Sequence, residues 1–284
     1  MRLGSWIKHL RNRRGSKFAK QMFNMWRFHR TSFTQILSNI FEACDNYDAG
    51  FTFPTVASVT PYQPDNIRSI LREGHEIANH GYKHVKYPFL TDRQQEVEFR
   101  KSVQIFKDLG IPIKGFRAPY NSYNETTIKL VEDFGFAWDG GVGYKPEYRK
   151  SHDMFYYQME NGTDTSFVSI PCHRYSDDLL IDRYLMDAKN MSKLLSAVIK
   201  QASKTQGVVM FDLHPIRIGQ EKYVQVLHDL IAYAHELNGW IPTVNEAVSY
   251  WKDHSSWKHN TDFCLLLTGD IDNFVFYDYL RRFR

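Results

Sequence analysis

The chain alternates between short apolar runs and longer segments in which apolar residues recur every three or four positions. The runs Phe51–Val56, Glu76–Asn79, Lys114–Phe116, Phe136–Asp139, Phe167–Ile170 and Val208–Leu213 read as strands, with Trp240–Val244 and Phe263–Thr268 as two more. Thr31–Asp45, Asp65–Arg72, Thr91–Leu109, Glu125–Phe134, Met186–Lys204 and Gln220–Leu237 read as the helices between them. Asn124 before Glu125 is a helix-start signal, and Gly110 and Gly135 stand where glycines stop helices. Such alternation predicts parallel strands joined by crossover helices, hence an α/β barrel or a doubly wound sheet. No repeat or low-complexity linker divides the chain, so residues 1–284 are expected to form one domain.

Composition supports this and narrows the partners. With 43% hydrophobic residues over 284 positions, the chain can bury a substantial core. Cys44, Cys172 and Cys264 are odd in number and form no Cys-x-x-Cys pair, which fits core thiols in a reducing compartment. No continuous apolar run marks a secretion signal or a membrane span, so the cytoplasm is the expected location. The total charge of +4 hides an asymmetry: residues 1–30 hold nine Lys or Arg and no acid, which leaves the rest net −5. A basic arm of that kind could bind nucleic acid or anionic lipid, but its aromatic residues, among them Trp6, Phe18, Phe23 and Trp26, favour a docked segment. No nucleic acid is therefore expected as a partner.

The chemistry-bearing residues cluster just after the predicted strands. His80-Gly-Tyr-Lys-His84 spaces two imidazoles four residues apart, as on one face of a helical turn, so both can reach one metal ion. Catalytic zinc usually takes three protein ligands and keeps a position for water, so a third donor, preferably a carboxylate, has to come from elsewhere. His75-Glu76 followed by His80 resembles the zinc-protease pattern His-Glu-x-x-His, but the spacing is one residue too long, since Asn79 occupies the required position. Arg117-Ala-Pro-Tyr120, Trp138-Asp139-Gly-Gly and Asp212-Leu-His214-Pro follow three further strands, where barrel enzymes carry their chemistry. Tyr120, Tyr123, Trp138 and Tyr144 could line a sugar-binding groove or simply pack.

Taken together, these motifs resemble the polysaccharide deacetylases, the NodB-homology carbohydrate esterases. His80-Gly-Tyr-Lys-His84 looks like the family's metal-binding His-x-x-x-His, Arg117-Ala-Pro-Tyr120 like its Arg-x-Pro-x-Tyr, and Leu213-His214 like its Leu-His; the likeness runs from about Thr31 to Val248. The resemblance implies a distorted, TIM-like (β/α) barrel of 7 or 8 strands, His80 and His84 as metal ligands, His214 as general acid, and Arg117 as the residue that orients a catalytic carboxylate. Asp139, Asp177 and Asp178 are its candidate partners.

One family motif is missing from its usual place. A first strand ending in paired aspartates normally opens these chains, yet no such pair precedes Thr31. Near the other end, Cys264-Leu-Leu-Leu-Thr-Gly-Asp270-Ile-Asp272 reads as an apolar strand ending in two acids. The order looks circularly permuted, with residues 263–284 supplying the first strand and the segment after it. On that reading, Asp272 completes the set for a divalent ion, expected to be Zn2+, and Asp270 is the general base; Tyr120, Trp138 and Asp139 would contact substrate. The expected reaction is hydrolysis of an acyl group, an N-acetyl above all, from a sugar or other N-acylated small molecule. An inactive carbohydrate-binding barrel and a hydrolase of non-sugar amides are the alternatives, and a homo-oligomer that exchanges strands is compatible with either.

Overall fold

The computed structural model describes Trp26, residues 28–141 and residues 153–278. Most of the basic segment 1–30, Tyr144 and the last six positions of the C-terminal segment lie outside the described residues. In chain order the main elements are α1 (Phe33–Asp45), β1 (Thr52–Thr55), α2 (Pro64–Arg72), β2 (Glu76–Asn79), α3 (Asp92–Asp108), β3 (Gly115–Phe116), α4 (Glu125–Asp133) and β4 (Trp138–Asp139). Then follow β5 (Phe155–Gln158), β6 (Asp164–Ser169), α5 (Ala188–Thr205), β7 (Val208–Asp212), α6 (Pro215–Ile218), α7 (Val224–Glu236), β8 (Gly239–Trp240), α8 (Val244–His254) and β9 (Phe263–Thr268).

The helix boundaries follow from local chemistry. Ser32 caps α1 by accepting from the Gln35 N–H, and Thr91 and Gln94 cap α3 reciprocally, as Asn124 and Thr127 do for α4. Gly110 and Gly135 take positive φ just past α3 and α4, as expected of residues that close helices in the left-handed conformation. The run at Trp240–Val244 divides differently from the expectation. Only Gly239–Trp240 pairs as a strand, while Thr243 and Glu246 form a capping box that opens α8 at Val244.

The sheet order is β5-β6-β4-β3-β2-β1-β9-β7, with β8 also pairing with β9. Every pairing is parallel except β5 with β6, an antiparallel hairpin that the sequence pattern did not reveal. The sheet curls until the chain after β6 meets β7, through a single bridge between Cys172 and Met210 in which the His173 N–H donates to the Met210 carbonyl at 2.8 Å. The result is a barrel with a weak seam, in keeping with the expected distorted (β/α) form.

β9 lies between β1 and β7 and is buried along its whole length. Its residues alternate: Phe263, Leu265 and Leu267 join the large cluster that includes α1, α5 and α7, while Cys264 and Leu266 join a second cluster with Ala78, Trp138, Met210 and the buried face of α8. Parallel pairing brings the carboxyl ends of these strands to one rim, and the residues just beyond them make the site.

Candidate active site

His80 follows β2 on a bend rather than on a helical turn, which corrects the expected local geometry. Gly81 turns the chain at φ +80°, a conformation that favours glycine, and its N–H donates to the Asn79 Oδ1 at 2.8 Å. The Lys83 N–H donates to Glu98 at 2.8 Å, and the two imidazole rings end 5.2 Å apart. His80 is fully buried, with its Nδ1 2.8 Å from the Arg117 carbonyl. That contact requires the proton on Nδ1 and leaves Nε2 as a lone-pair donor, without a hydrogen-bond partner among the described residues.

The acids that meet this nitrogen come from the end of β9. His80 Nε2 is 3.4 Å from Asp270 Oδ2 and 3.6 Å from Asp272 Oδ1, and His84 Nε2 is 3.1 Å from the same Asp272 oxygen. Ligand atoms of His80, His84 and Asp272 all lie within 4.8 Å of one another. Two imidazole nitrogens and one carboxylate oxygen form a donor set suited to a catalytic divalent ion such as zinc, with coordination left over for water. A buried imidazole lone pair without a hydrogen-bond partner fits that use as well. Gly269 makes the approach of the strand possible, since a Cβ there would sit 2.0 Å from the Leu213 carbonyl oxygen.

Arg117 reaches across the inside of the barrel from the end of β3. Its Nη1 donates to Asp270 Oδ1 at 2.9 Å, its Nη2 to Thr268 Oγ1 at 2.7 Å, and its Nε to the Gly140 carbonyl at 3.1 Å. The carboxylate it orients is therefore Asp270, with Asp212 at 3.5 Å as a second neighbour. Asp177, one of the partners considered from sequence, pairs instead with His214: its Oδ1 is 2.7 Å from His214 Nδ1. Asp178 accepts from the Ser176 hydroxyl.

His214 follows β7, and its charge is set by its neighbours. Burial opposes the imidazolium, but Asp212 and then Asp177 outweigh it and hold the group well above its ordinary value. Asp212 itself is pushed up to about 7, by burial first and by the nearby Asp270 second, against the pull of His214 and Arg117. Sequence reasoning placed Asp212 in the Asp212-Leu-His214-Pro motif but gave it no role. The signal was its place two residues before His214, which puts both side chains near the same rim.

Asp212, His214, Asp270, Asp272, His84 and Tyr120 open onto a cleft of about 510 Å³. Tyr120 is 56% exposed, adopts a left-handed backbone at φ +60°, and lays its ring 4.2 Å from that of His84. Trp138 departs from the expectation of a substrate contact. It is wholly buried in the core on β4, and its indole N–H donates to Glu76 at 3.1 Å. Asp139 is likewise buried, and the Gly141 N–H donates to it at 3.4 Å as part of the turn after β4.

Comparisons with known proteins bear on this arrangement. Residues 21–138 match the sequence model of the polysaccharide deacetylase family. A peptidoglycan deacetylase of Helicobacter pylori is 30% identical over 131 residues, or 40% of this chain and 45% of that protein. A peptidoglycan deacetylase-like protein of Gibberella zeae is 27% identical over 157 residues, covering 47% of this chain and 44% of the other. The chain thus spans under half the length of these curated relatives. In structure, a candidate polysaccharide deacetylase from Mycobacterium smegmatis superposes with a TM-score of 0.68 over 78% of each chain at 20% identity. An allantoinase gives 0.69 over 84% of this chain and 78% of its own, at 18% identity. Residues 21–138 thus resemble the polysaccharide deacetylase family in sequence, and the described structure shares the fold of solved proteins from that family and of an allantoinase.

Proposed function

We propose that the protein is a metal-dependent hydrolase that removes an acyl group, normally N-acetyl, from an amino sugar. The observation that carries this reading is the convergence of Asp270 and Asp272, from the end of β9, on the imidazoles of His80 and His84 more than 180 positions earlier. His80, His84 and Asp272 would hold the ion, which when bound supplies Lewis-acid activation of a water molecule and of the amide carbonyl.

The remaining steps belong to side chains. Asp270 is held by Arg117 through Oδ1, so Oδ2 faces the site and takes the proton of the attacking water as its oxygen bonds to the carbonyl carbon. His214, kept protonated by Asp177 and Asp212, delivers a proton from Nε2 to the amide nitrogen as the C–N bond breaks, so a free amine and a carboxylate leave. The exposed Tyr120 is suited to stack on a sugar face beside His84.

We further propose that β9 replaces the strand that opens other family members, so that the order is circularly permuted. Its position between β1 and the strand leading to His214 supports this, as does its ending in Asp-x-Asp. Cys44, Cys172 and Cys264 are all buried and unbridged, which favours a reducing compartment such as the cytoplasm. No described helix is long and apolar enough to cross a membrane.

Elemental analysis of the purified protein beside Asp272→Ala and His80→Ala tests the site, with release of acetate from N-acetylglucosamine oligomers as the activity. Near one equivalent of metal in the parent, lost in both variants together with activity, is the expected outcome. Metal retained by Asp272→Ala at the parent affinity sinks both the ligand assignment and the permuted motif. Turnover of a cyclic amide such as allantoin, with none of the sugar oligomers, moves the substrate class instead.

A further inference from the structure

Lys86 and Arg174 both line the cleft that holds Asp270 and His214, and neither has a carboxylate within ion-pair distance among the described residues. Arg217, the other Arg of the cleft lining, is committed to Asp182 at 2.8 Å, and the buried Arg117 behind the lining is committed to Asp270. The inner carboxylates are likewise compensated, by Arg117, by His214, and by the ion the site is built to take. Apart from Asp178, which accepts from the Ser176 hydroxyl, the mouth is left with two cations that have no ion-pair partner among the described residues.

The two cations come from different walls. Lys86 follows β2 and Arg174 follows β6, strands that β3 and β4 separate in the sheet. Lys86 Nζ lies 5.3 Å over the Tyr120 ring, which itself lies against His84 at a tilt of 48°, so the ammonium sits one aromatic ring away from the proposed reacting centre. Arg174 packs its guanidinium on Tyr175 and donates to the Tyr175 hydroxyl at 2.9 Å, which steadies it while leaving other N–H groups to point elsewhere. That arrangement suits an anion carried by the substrate outside the acyl group being cut.

We propose that Lys86 and Arg174 are specificity residues that select an anionic glycan, in which a carboxylate or phosphate lies on or next to the N-acylated sugar. The inference rests on the N-deacetylase reading above. Two exposed cations flanking a cleft raise the local concentration of an anionic ligand and weaken its escape, and both effects fade with added salt.

The experiment uses the metal-loaded full chain and three tetrasaccharides: a neutral N-acetylglucosamine oligomer, one alternating with glucuronate, and one bearing 6-phosphates. The expected result is a higher kcat/KM for at least one charged oligomer at low salt, with the advantage shrinking as NaCl rises; which one it is separates the carboxylate from the phosphate. In the Lys86→Gln/Arg174→Gln protein the charged-to-neutral ratio should fall about tenfold, mainly through KM, as two exposed charge contacts at the strong end of their range would give. A Lys86→Arg/Arg174→Lys protein should recover most of the ratio. Equal kcat/KM for all three oligomers, or a ratio unmoved in the double Gln variant, overturns the proposal. If no oligomer is hydrolysed, calorimetric titration of the same three decides: preference for a charged one, lost in the double variant, keeps the anion site and discards the deacetylase reading, whereas equal or absent binding discards both.

Discussion

In the proposed mechanism the side chain on which the chemistry turns is His214, because an acid that must protonate a leaving amine has to be charged at working pH. Its imidazole is held between two carboxylates, with Asp177 Oδ1 at 2.7 Å and Asp212 Oδ1 at 3.8 Å. Their attraction more than offsets the cost of burying the cation, so its pKa is raised. The alkaline limb of the pH–rate profile follows this group, since activity is lost once the imidazolium gives up its proton. Asp177→Asn keeps a hydrogen-bond acceptor but removes the charge, so the folded-state pKa drops and the alkaline limb moves to lower pH; Asp212→Asn should act in the same sense. A limb unchanged in both variants would take the acid role away from His214. Asp270→Asn removes the base while leaving His80, His84 and Asp272 in place, and a loss in kcat of about 100- to 10,000-fold with metal still bound is the expected signature.

At the scale of elements, the strand that matters most is β9. It pairs with β7 over five residues, from Val208 with Cys264 to Asp212 with Thr268, and with β1 only at Thr52 and Thr268. The next residue, Gly269, passes so close to Leu213 that any side chain has to displace backbone. Gly269→Ala should therefore cost about 1–3 kcal/mol of stability, as overpacking of a tight site does. It should also weaken metal binding, because the shift carries Asp270 and Asp272 with it; denaturant unfolding read beside metal affinity separates the two effects. Most of this architecture was legible in sequence. The apolar run Phe263–Thr268 matches β9 residue for residue, and Glu76–Asn79 matches β2. The hairpin strand β5 was not legible, because its exposure alternates along Phe155–Gln158 while its residue types do not: Phe155, Tyr156 and Tyr157 are all aromatic, so the sequence shows no period-two pattern. The partner of Arg117 was missed for another reason: Asp139, Asp177 and Asp178 were its candidates, and nothing in sequence marks that the guanidinium reaches an acid 153 positions away. Trp138 was misread because an aromatic residue at a strand end looks the same in sequence whether it lines a groove or fills the core.

For the molecule as a whole, the proposed metal site would join two segments that are each already hydrogen-bonded to β1 and the residues just after it, His80 through the Thr55 carbonyl and Ile271 through the Pro54 carbonyl. His80 and His84 belong to the loop after β2, Asp272 to the segment after β9, and β1 lies between those two strands in the sheet. An ion bound there bridges across β1 and favours the folded state alone, because the three ligands are scattered in an unfolded chain. Its contribution is set by concentration: about 2.7 kcal/mol when free metal is 100 times Kd. For a domain of this size each kcal/mol moves Tm by roughly 2–4 °C, so chelation should lower Tm by several degrees. Asp272→Ala should start near the chelated value and respond little to either chelator or added zinc. Gly115, where a Cβ would lie within 1.8 Å of the Trp138 ring, is the control: Gly115→Ala should lower Tm through the core yet keep the full zinc-dependent increment, because it lies at the start of β3, away from the ligands. A parent protein that binds one equivalent of metal but melts at the same temperature with and without it would mean that packing and the hydrogen bonds to β1 already fix these segments and the ion adds chemistry without stability.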